Sequence, residues 1–109
     1  MSLSIYDLAR ELVQSKTQWH AGELVVLWSG SGAGGPRIVV QEGGRDGGGW
    51  LHMTMLAGPK TATVPCGYFS WSKGAWVFDL PDHKYQDWKT KAQRLAELHA
   101  KKSRKETLQ

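Results

Sequence analysis

The apolar positions at the start of the chain recur every three to four residues, as on one face of a helix. Ser4 and Asp7 have the spacing of a capping box, in which the hydroxyl reaches forward and the carboxylate reaches back. The pattern predicts an amphipathic helix that begins after Ser4 and ends near Lys16. Its apolar stripe, which we expect to face the core, consists of Ile5, Leu8, Leu12 and Val13.

The middle of the chain changes to an apolar period of two, which is typical of β-strands. Nine of the thirteen glycines lie in two segments, Gly30–Gly35 and Gly43–Gly49, which suit hairpin connections. A fourth, short apolar segment is followed by Pro65, and we expect the strand to stop there. The predicted strands are Glu23–Ser29, Pro36–Glu42, Trp50–Leu56 and Thr61–Val64.

The clearest hairpin pattern covers Gly67–Leu80. A two-residue turn at Lys73-Gly74 places Trp71 opposite Trp76 across the two strands. A longer Ser-Lys-Gly loop is the alternative, because Lys-Gly is a weaker turn dipeptide than Asn-Gly. One face of this hairpin is aromatic, and we favour a core position for it over a base-stacking surface; it consists of Phe69, Trp71, Trp76, Phe78 and Leu80.

A second helix is predicted from Pro81-Asp82, because proline ends the sheet and aspartate is a favoured helix cap. One sector of its helical wheel is apolar and is expected to dock on the sheet; its members are Tyr85, Trp88, Ala92, Leu95 and Ala96. Cations fill the neighbouring sector: Lys84, Lys91, Arg94, Lys101, Lys102 and Lys105. From about Lys101 the helix has nothing apolar to bury before Leu108, and its last turns are expected to fray.

These elements predict an α+β domain over residues 1–100, followed by a basic tail over residues 101–109. The size is that of one domain with a modest core. Between the two helices we expect four or five antiparallel strands. They form either an open sheet or a small barrel of the SH3-like or OB-like kind, and the pattern leaves both possibilities open.

The charge of the chain is concentrated at its C-terminal end. Residues 84–109 carry eight Lys/Arg against three Asp/Glu, a balance of +5, whereas residues 1–83 have a balance of −1. Clustered charges sum their potentials, so a basic arm on a near-neutral body favours a polyanionic partner.

The motifs that could carry catalysis have simpler interpretations. Gly30–Gly35 matches G-x-G-x-x-G, but a strand pattern follows where a dinucleotide-binding fold needs a helix. The single cysteine, Cys66, excludes an intramolecular disulfide and is interpreted as a small buried hydrophobe. Glu42 and Asp46 belong to a glycine-rich segment that is poorly suited to fixed catalytic geometry. The four histidines lack the spacing of metal ligands, so we predict no enzyme, no cofactor and no metal site.

The aromatic residues are the stronger candidates for function, since six tryptophans occur in 109 residues. Sheet aromatics beside cations commonly hold single-stranded nucleic acid, with bases on the rings and phosphates on the cations. We expect Trp50 and Trp71 to stack on bases, and Lys73 and Arg37 to extend the basic track of the second helix. The leading hypothesis is a small, non-catalytic nucleic-acid-binding or accessory protein that favours single strands.

Two other hypotheses stay open. The first is a protein–protein interaction module, such as a small inhibitor or adaptor from a mobile genetic element, whose basic helix meets an acidic protein surface. The second is a small-ligand pocket inside a barrel, with His52 and Thr54 as its polar groups.

No apolar run approaches the ~18 residues of a membrane span, and we expect a cytoplasmic protein. The oligomeric state is left open.

Overall fold

The sheet is a meander in which neighbouring strands of the chain are also neighbours in space. The computed structural model describes residues 4–30, 34–43 and 48–108, with the side chains of this part up to Lys101. Five antiparallel strands form a curled half-barrel, which confirms the predicted α+β fold. The elements are α1 (Ile5–Ser15), β1 (Leu24–Ser29), β2 (Arg37–Glu42), β3 (Trp50–Ala57), β4 (Lys60–Ser70), β5 (Ala75–Phe78) and α2 (Asp82–Leu108).

Helix α1 begins as its sequence predicts, with Ser4 as its cap. The Ser4 Oγ accepts a hydrogen bond from the Asp7 N–H at 3.1 Å and donates to the Asp7 carboxylate at 2.9 Å. The carboxylate bonds the hydroxyl here, whereas in a full capping box the acidic residue accepts from the backbone N–H of the cap. Ala9 and Val13 are buried, and the helix contacts both edge strands, β1 and β5. It therefore bridges the open side of the half-barrel.

Strand β4 differs from the prediction, because one long strand replaces the two short ones expected on either side of Pro65. Leu51 of β3 faces Gly67, but the next residue, His52, faces Pro65, so Cys66 is the extra residue of a β-bulge. Proline has no N–H to give to a sheet and is tolerated at a bulge. The strand therefore bends at Pro65 and continues.

The turn between β4 and β5 is longer than predicted. Ser70 faces Ala75 and Phe69 faces Trp76, so residues 71–74 form the loop, and the Gly74 N–H donates to the Ser70 carbonyl. Both alternatives, the two-residue turn and the Ser-Lys-Gly loop, were therefore too short. Trp71 does not lie opposite Trp76 in the core-facing sheet; its side chain is 89% exposed.

Helix α2 docks on β4 and β3 through its apolar sector, as predicted. Tyr85, Trp88 and Ala92 are buried, and the Trp88 indole N–H donates to the Ala62 carbonyl at 2.8 Å. Farther along, the His99 ring lies 3.0 Å from the Gly34 carbonyl oxygen. Among the described residues, neither helix combines the length and the apolar character that crossing a membrane requires.

Cys66 lies in the core with no exposed surface, as the sequence predicts. Burial raises the pKa of its thiol to about 12, so the neutral form dominates near neutral pH. The thiolate is the reactive form, and we expect the folded protein to react with a disulfide reagent many times more slowly than the denatured chain. Absorbance after addition of the reagent, with and without denaturant, measures both rates. Equal rates would contradict the buried position.

Candidate nucleic-acid interface

The cations of α2 up to Lys101 are exposed and make no ion pair with another described residue. The ion pairs of the described side chains are Arg10–Asp7 and Lys16–Glu23, both outside α2. The exposed cations of the predicted flank are Lys84, Lys91, Arg94 and Lys101. We call these four residues the cationic flank. The side chains of Lys102 and Lys105, which the sequence prediction also includes, lie outside the described residues.

The first part of the cationic flank lies beside β4 because of how α2 is docked. Lys84 and Lys91 lie within about 20° of each other around the helix axis, next to the buried sector, whereas Arg94 and Lys101 lie about 60–100° farther around it. Beside the first part of the flank is a shallow hollow of about 180 Å³. It is lined by Ala62, Thr63, Val64, Lys84, Asp87, Trp88 and Lys91.

A second hollow, of about 210 Å³, adjoins the first through Lys84. It is lined by Trp50, Pro65, Gly67, Tyr68, Asp79, Pro81 and Lys84. Because Lys84 lines both hollows, the structure brings together three predicted residues: Trp50, Lys84 and Lys91. We call the two hollows together the Lys84 surface.

The aromatic wall of the Lys84 surface results from strand pairing. Trp50 faces Tyr68 across β3 and β4, and their ring centroids are 6.3 Å apart with planes at 52°. The next residue of β3, Leu51, is fully buried in the core, so Trp50 lies on the opposite face of the sheet. Both rings of the wall are half-buried and held in place before any ligand arrives.

Two carboxylates also line the Lys84 surface, one in each hollow. Asp79 lies in the hollow with Trp50, and Asp87 lies in the hollow with Lys91. Neither forms an ion pair in the described part of the chain, since the two that occur there involve Asp7 and Glu23. They lower the positive potential around Lys84, and Asp87 also lowers it around Lys91.

Trp71 and Lys73 lie at the tip of the loop between β4 and β5. The Trp71 ring packs edge-on against Phe69 at 4.9 Å, and Phe69 packs on Trp76 at 5.4 Å. The loop is braced by a hydrogen bond from the Lys73 N–H to the Ser70 hydroxyl. Phe69 and Tyr68 are successive strand residues and point to opposite faces. Trp71 and Trp50 therefore contact opposite faces of the sheet and do not form one platform.

Arg37 is exposed at the first residue of β2, where it faces Leu56 of β3. Trp50 and Leu56 are six residues apart on β3, which corresponds to about 20 Å of strand. Arg37 therefore lies at the other end of the sheet from Trp50.

His52 and Thr54 lie on the same face of β3 as Trp50, away from the core residues Leu51 and Met53. The Thr54 hydroxyl is 3.0 Å from the Thr63 hydroxyl of the neighbouring strand. The polar groups of the hypothetical barrel pocket therefore do not face the interior of the half-barrel.

Sequence reasoning missed Tyr68 and Asp79 as site residues. Tyr68 joins Trp50 only because the bulge at Cys66 shifts the register by one residue. Asp79 joins the site because its N–H donates to the Cys66 carbonyl, beside the same bulge. A pairing signal between residues 50 and 68 would have found Tyr68, but one sequence carries no such signal.

An apolar surface lies at the opposite edge of the sheet. Leu24, Val26 and Trp28 of edge strand β1 are 44%, 48% and 41% exposed. Such exposure on an edge strand is typical of a contact surface.

The comparison with known proteins gives no further guidance, since no protein family, curated protein or solved structure matches the chain.

Proposed function

We propose that this protein binds single-stranded nucleic acid and has no catalytic activity of its own. The observation that carries the proposal is the continuity of the Lys84 surface. On α2, Lys84 and Lys91, which form no ion pair with a described residue, lead directly into a hollow walled by two aromatic rings. Phosphates would follow the cationic flank while a base packs against Trp50 and Tyr68.

The shape of the surface favours a single strand over a duplex. A base must leave its stack before an aromatic side chain can pack on it, which costs more in a duplex. The buried sector of α2 packs on the sheet, so only one flank of the helix is accessible to nucleic acid. The helix therefore cannot insert its full face into the major groove of a duplex. Stacking against Trp50 would also change tryptophan emission, which supplies a second readout.

A second candidate function is binding to an acidic protein surface, and a specific observation favours it. Trp71 is 89% exposed, yet it is held by Phe69 and by a braced loop. Exposed tryptophan is enriched at interaction hot spots. A small inhibitor or adaptor would use Trp71 as an anchor and the cationic flank as its charge-complementary rim. For either function we propose a cytoplasmic location, in line with a lone buried thiol.

The test is a titration of labelled single- and double-stranded oligonucleotides at several salt concentrations, followed by anisotropy. Lys84→Gln/Lys91→Gln is compared with Lys60→Gln/Lys89→Gln, which removes the same charge from exposed positions outside the two hollows. We expect the slope of log K against log salt to fall by about 1.4 for the first pair, at about 0.7 per lost phosphate contact. The matched control should leave the slope nearly unchanged.

Two results would overturn the proposal. One is the absence of binding to either oligonucleotide near physiological salt. The other is an equal loss of slope in both double variants, because it would show that only net charge matters. Binding of a folded acidic protein, with loss of affinity in Trp71→Ala, would support the second candidate function instead.

A further inference from the structure

The hollow beside Trp50 combines flat apolar walls with two charged groups. Two aromatic rings and two prolines form its walls, and Asp79 and Lys84 supply its ionic groups. Its volume of about 210 Å³ is many times the ~10–15 Å³ that one water molecule needs. Aromatic walls of this kind suit the planar ring of a base.

The Asp79 backbone is held in place, and its carboxylate is available to a ligand. The Asp79 N–H donates to the Cys66 carbonyl at 2.9 Å, which fixes the backbone beside the hollow. Its side chain is exposed and accepts no hydrogen bond from the described residues. Asp79 therefore lines the hollow with a carboxylate that has no donor among the described residues.

Carboxylate acceptors distinguish between the four bases. Guanine presents two adjacent donors, N1–H and N2–H₂, which match the two oxygens of one carboxylate. Adenine and cytosine each place one amino group beside a ring-nitrogen acceptor, which a carboxylate repels. Uracil and thymine place one N–H between two carbonyl oxygens. Guanine is therefore the base whose Watson–Crick edge complements Asp79.

We infer that this hollow is a guanine site, with the base between Trp50 and Tyr68 on one side and the prolines on the other. Asp79 accepts the two donors of the Watson–Crick edge, and Lys84 receives the phosphate of the same or the next nucleotide. The inference rests on the proposed function and adds a base preference to it. Lys84 lies between the two hollows, so the strand continues from this site along the cationic flank toward Lys91.

The experiment uses oligothymidylates that carry one central guanine, adenine or cytosine, so that no guanine quadruplex can form. We expect the guanine strand to bind about tenfold more tightly than the others. Asp79→Asn replaces one acceptor with an NH₂ donor and should abolish that preference. Asp79 is exposed and its backbone hydrogen bond does not depend on its side chain, so the variant should fold.

The matched control is Asp87→Asn, which removes the other carboxylate beside Lys84. It should strengthen binding of all three strands alike and keep the guanine preference. Loss of the guanine preference in both variants would show that Asp79 acts only through its negative charge, and it would overturn the inference.

Free mononucleotides, followed by tryptophan emission, separate the failure of this inference from that of the proposed function. Oligonucleotide binding without base preference would overturn the guanine site and leave single-strand binding intact. Binding of guanosine monophosphate without any oligonucleotide binding would support the site and overturn the proposed function. If neither kind of probe binds, both proposals are wrong.

Discussion

Gly67→Ala is expected to lower the free energy of unfolding by about 3 kcal/mol or more, the largest loss we expect from any single methyl group in this chain. A Cβ at Gly67 would lie 2.6 Å from the Val77 carbonyl oxygen and 3.5 Å from a Leu51 methyl carbon. The first contact is with backbone, so a change of side-chain rotamer cannot relieve it. Because small domains are stable by only about 5–15 kcal/mol, the variant would be poorly folded.

Neither strand next to Gly67 can move away at low cost. Gly67 faces Leu51 on one side and Phe78 on the other, so β4 is confined between β3 and β5. The β5 backbone lies close to Gly67, and the Asp79 N–H is bonded to the carbonyl of the preceding residue of β4, Cys66. Moving β5 would break that bond and disturb the hollow that holds Asp79. We therefore expect loss of oligonucleotide binding together with loss of stability.

The control is Gly74→Ala in the loop between β4 and β5. A Cβ there meets no atom within 4 Å, but Gly74 has a φ of 64°, which alanine adopts at a cost of about 1 kcal/mol. Denaturant unfolding followed by tryptophan fluorescence gives both free energies. Similar losses for the two variants would show that the bulge relaxes around the added methyl group.

The parts of the fold that depend on neighbouring residues could be predicted from the sequence. Ser4 marks the start of α1, and the proline before Asp82 marks the start of α2. Both signals lie next to the helix that they begin. The first three strands also match, because apolar alternation and glycine loops are local features. In each case the residues that determine the element are adjacent in the chain.

Strand β4 could not be predicted because its continuity depends on a distant partner. Pro65 favours a strand end when only its neighbours are considered. Pairing with β3 overrides that preference, because eight residues of β3 bond to β4 on both sides of the bulge. The same bulge decides which residue of β4 faces Trp50.

The candidate site also combines residues that local patterns predict with residues that only distant pairing brings together. Lys84 and Lys91 were predicted from helical spacing, and Trp50 from its strand. Their convergence on one surface depends on how α2 docks on β4, which no local pattern encodes. Tyr68 and Asp79 reach that surface through the bulge and could not be predicted at all.

Glu42→Ala is expected to lower the free energy of unfolding by about 3 kcal/mol, the second-largest loss that we expect. The side chain is only 7% exposed, and its two carboxylate oxygens accept hydrogen bonds from the Gly22 and Gly49 N–H groups at 3.1 Å. The sequence suggested an unfixed acid in a glycine-rich segment. The structure instead shows a carboxylate that ties the turn before β1 to the segment before β3.

Glu42→Gln separates the charge from the shape of this contact. The glutamine keeps one acceptor oxygen, but its NH₂ group meets the second N–H donor, and we expect a loss of about 1–2 kcal/mol. Hydrogen exchange at Gly22 and Gly49 offers a direct readout, because only one of the two amides should stay protected. In the alanine variant both amides should exchange quickly.

The control for this series is Glu23→Gln, at the residue just before the neighbouring strand β1. The Glu23 carboxylate accepts from the His20 N–H and pairs with Lys16 at 2.7 Å, and both contacts lower its pKa. It lies at the surface, where water can replace a lost contact, so the unfolding midpoint should move less than in Glu42→Gln.

Because Glu42 also anchors the segment before Trp50, Glu42→Ala should weaken guanine-strand binding even where the protein remains folded. Unchanged protection at Gly22 and Gly49 in Glu42→Ala would mean that water replaces the carboxylate, and that Trp50 is positioned by strand pairing alone.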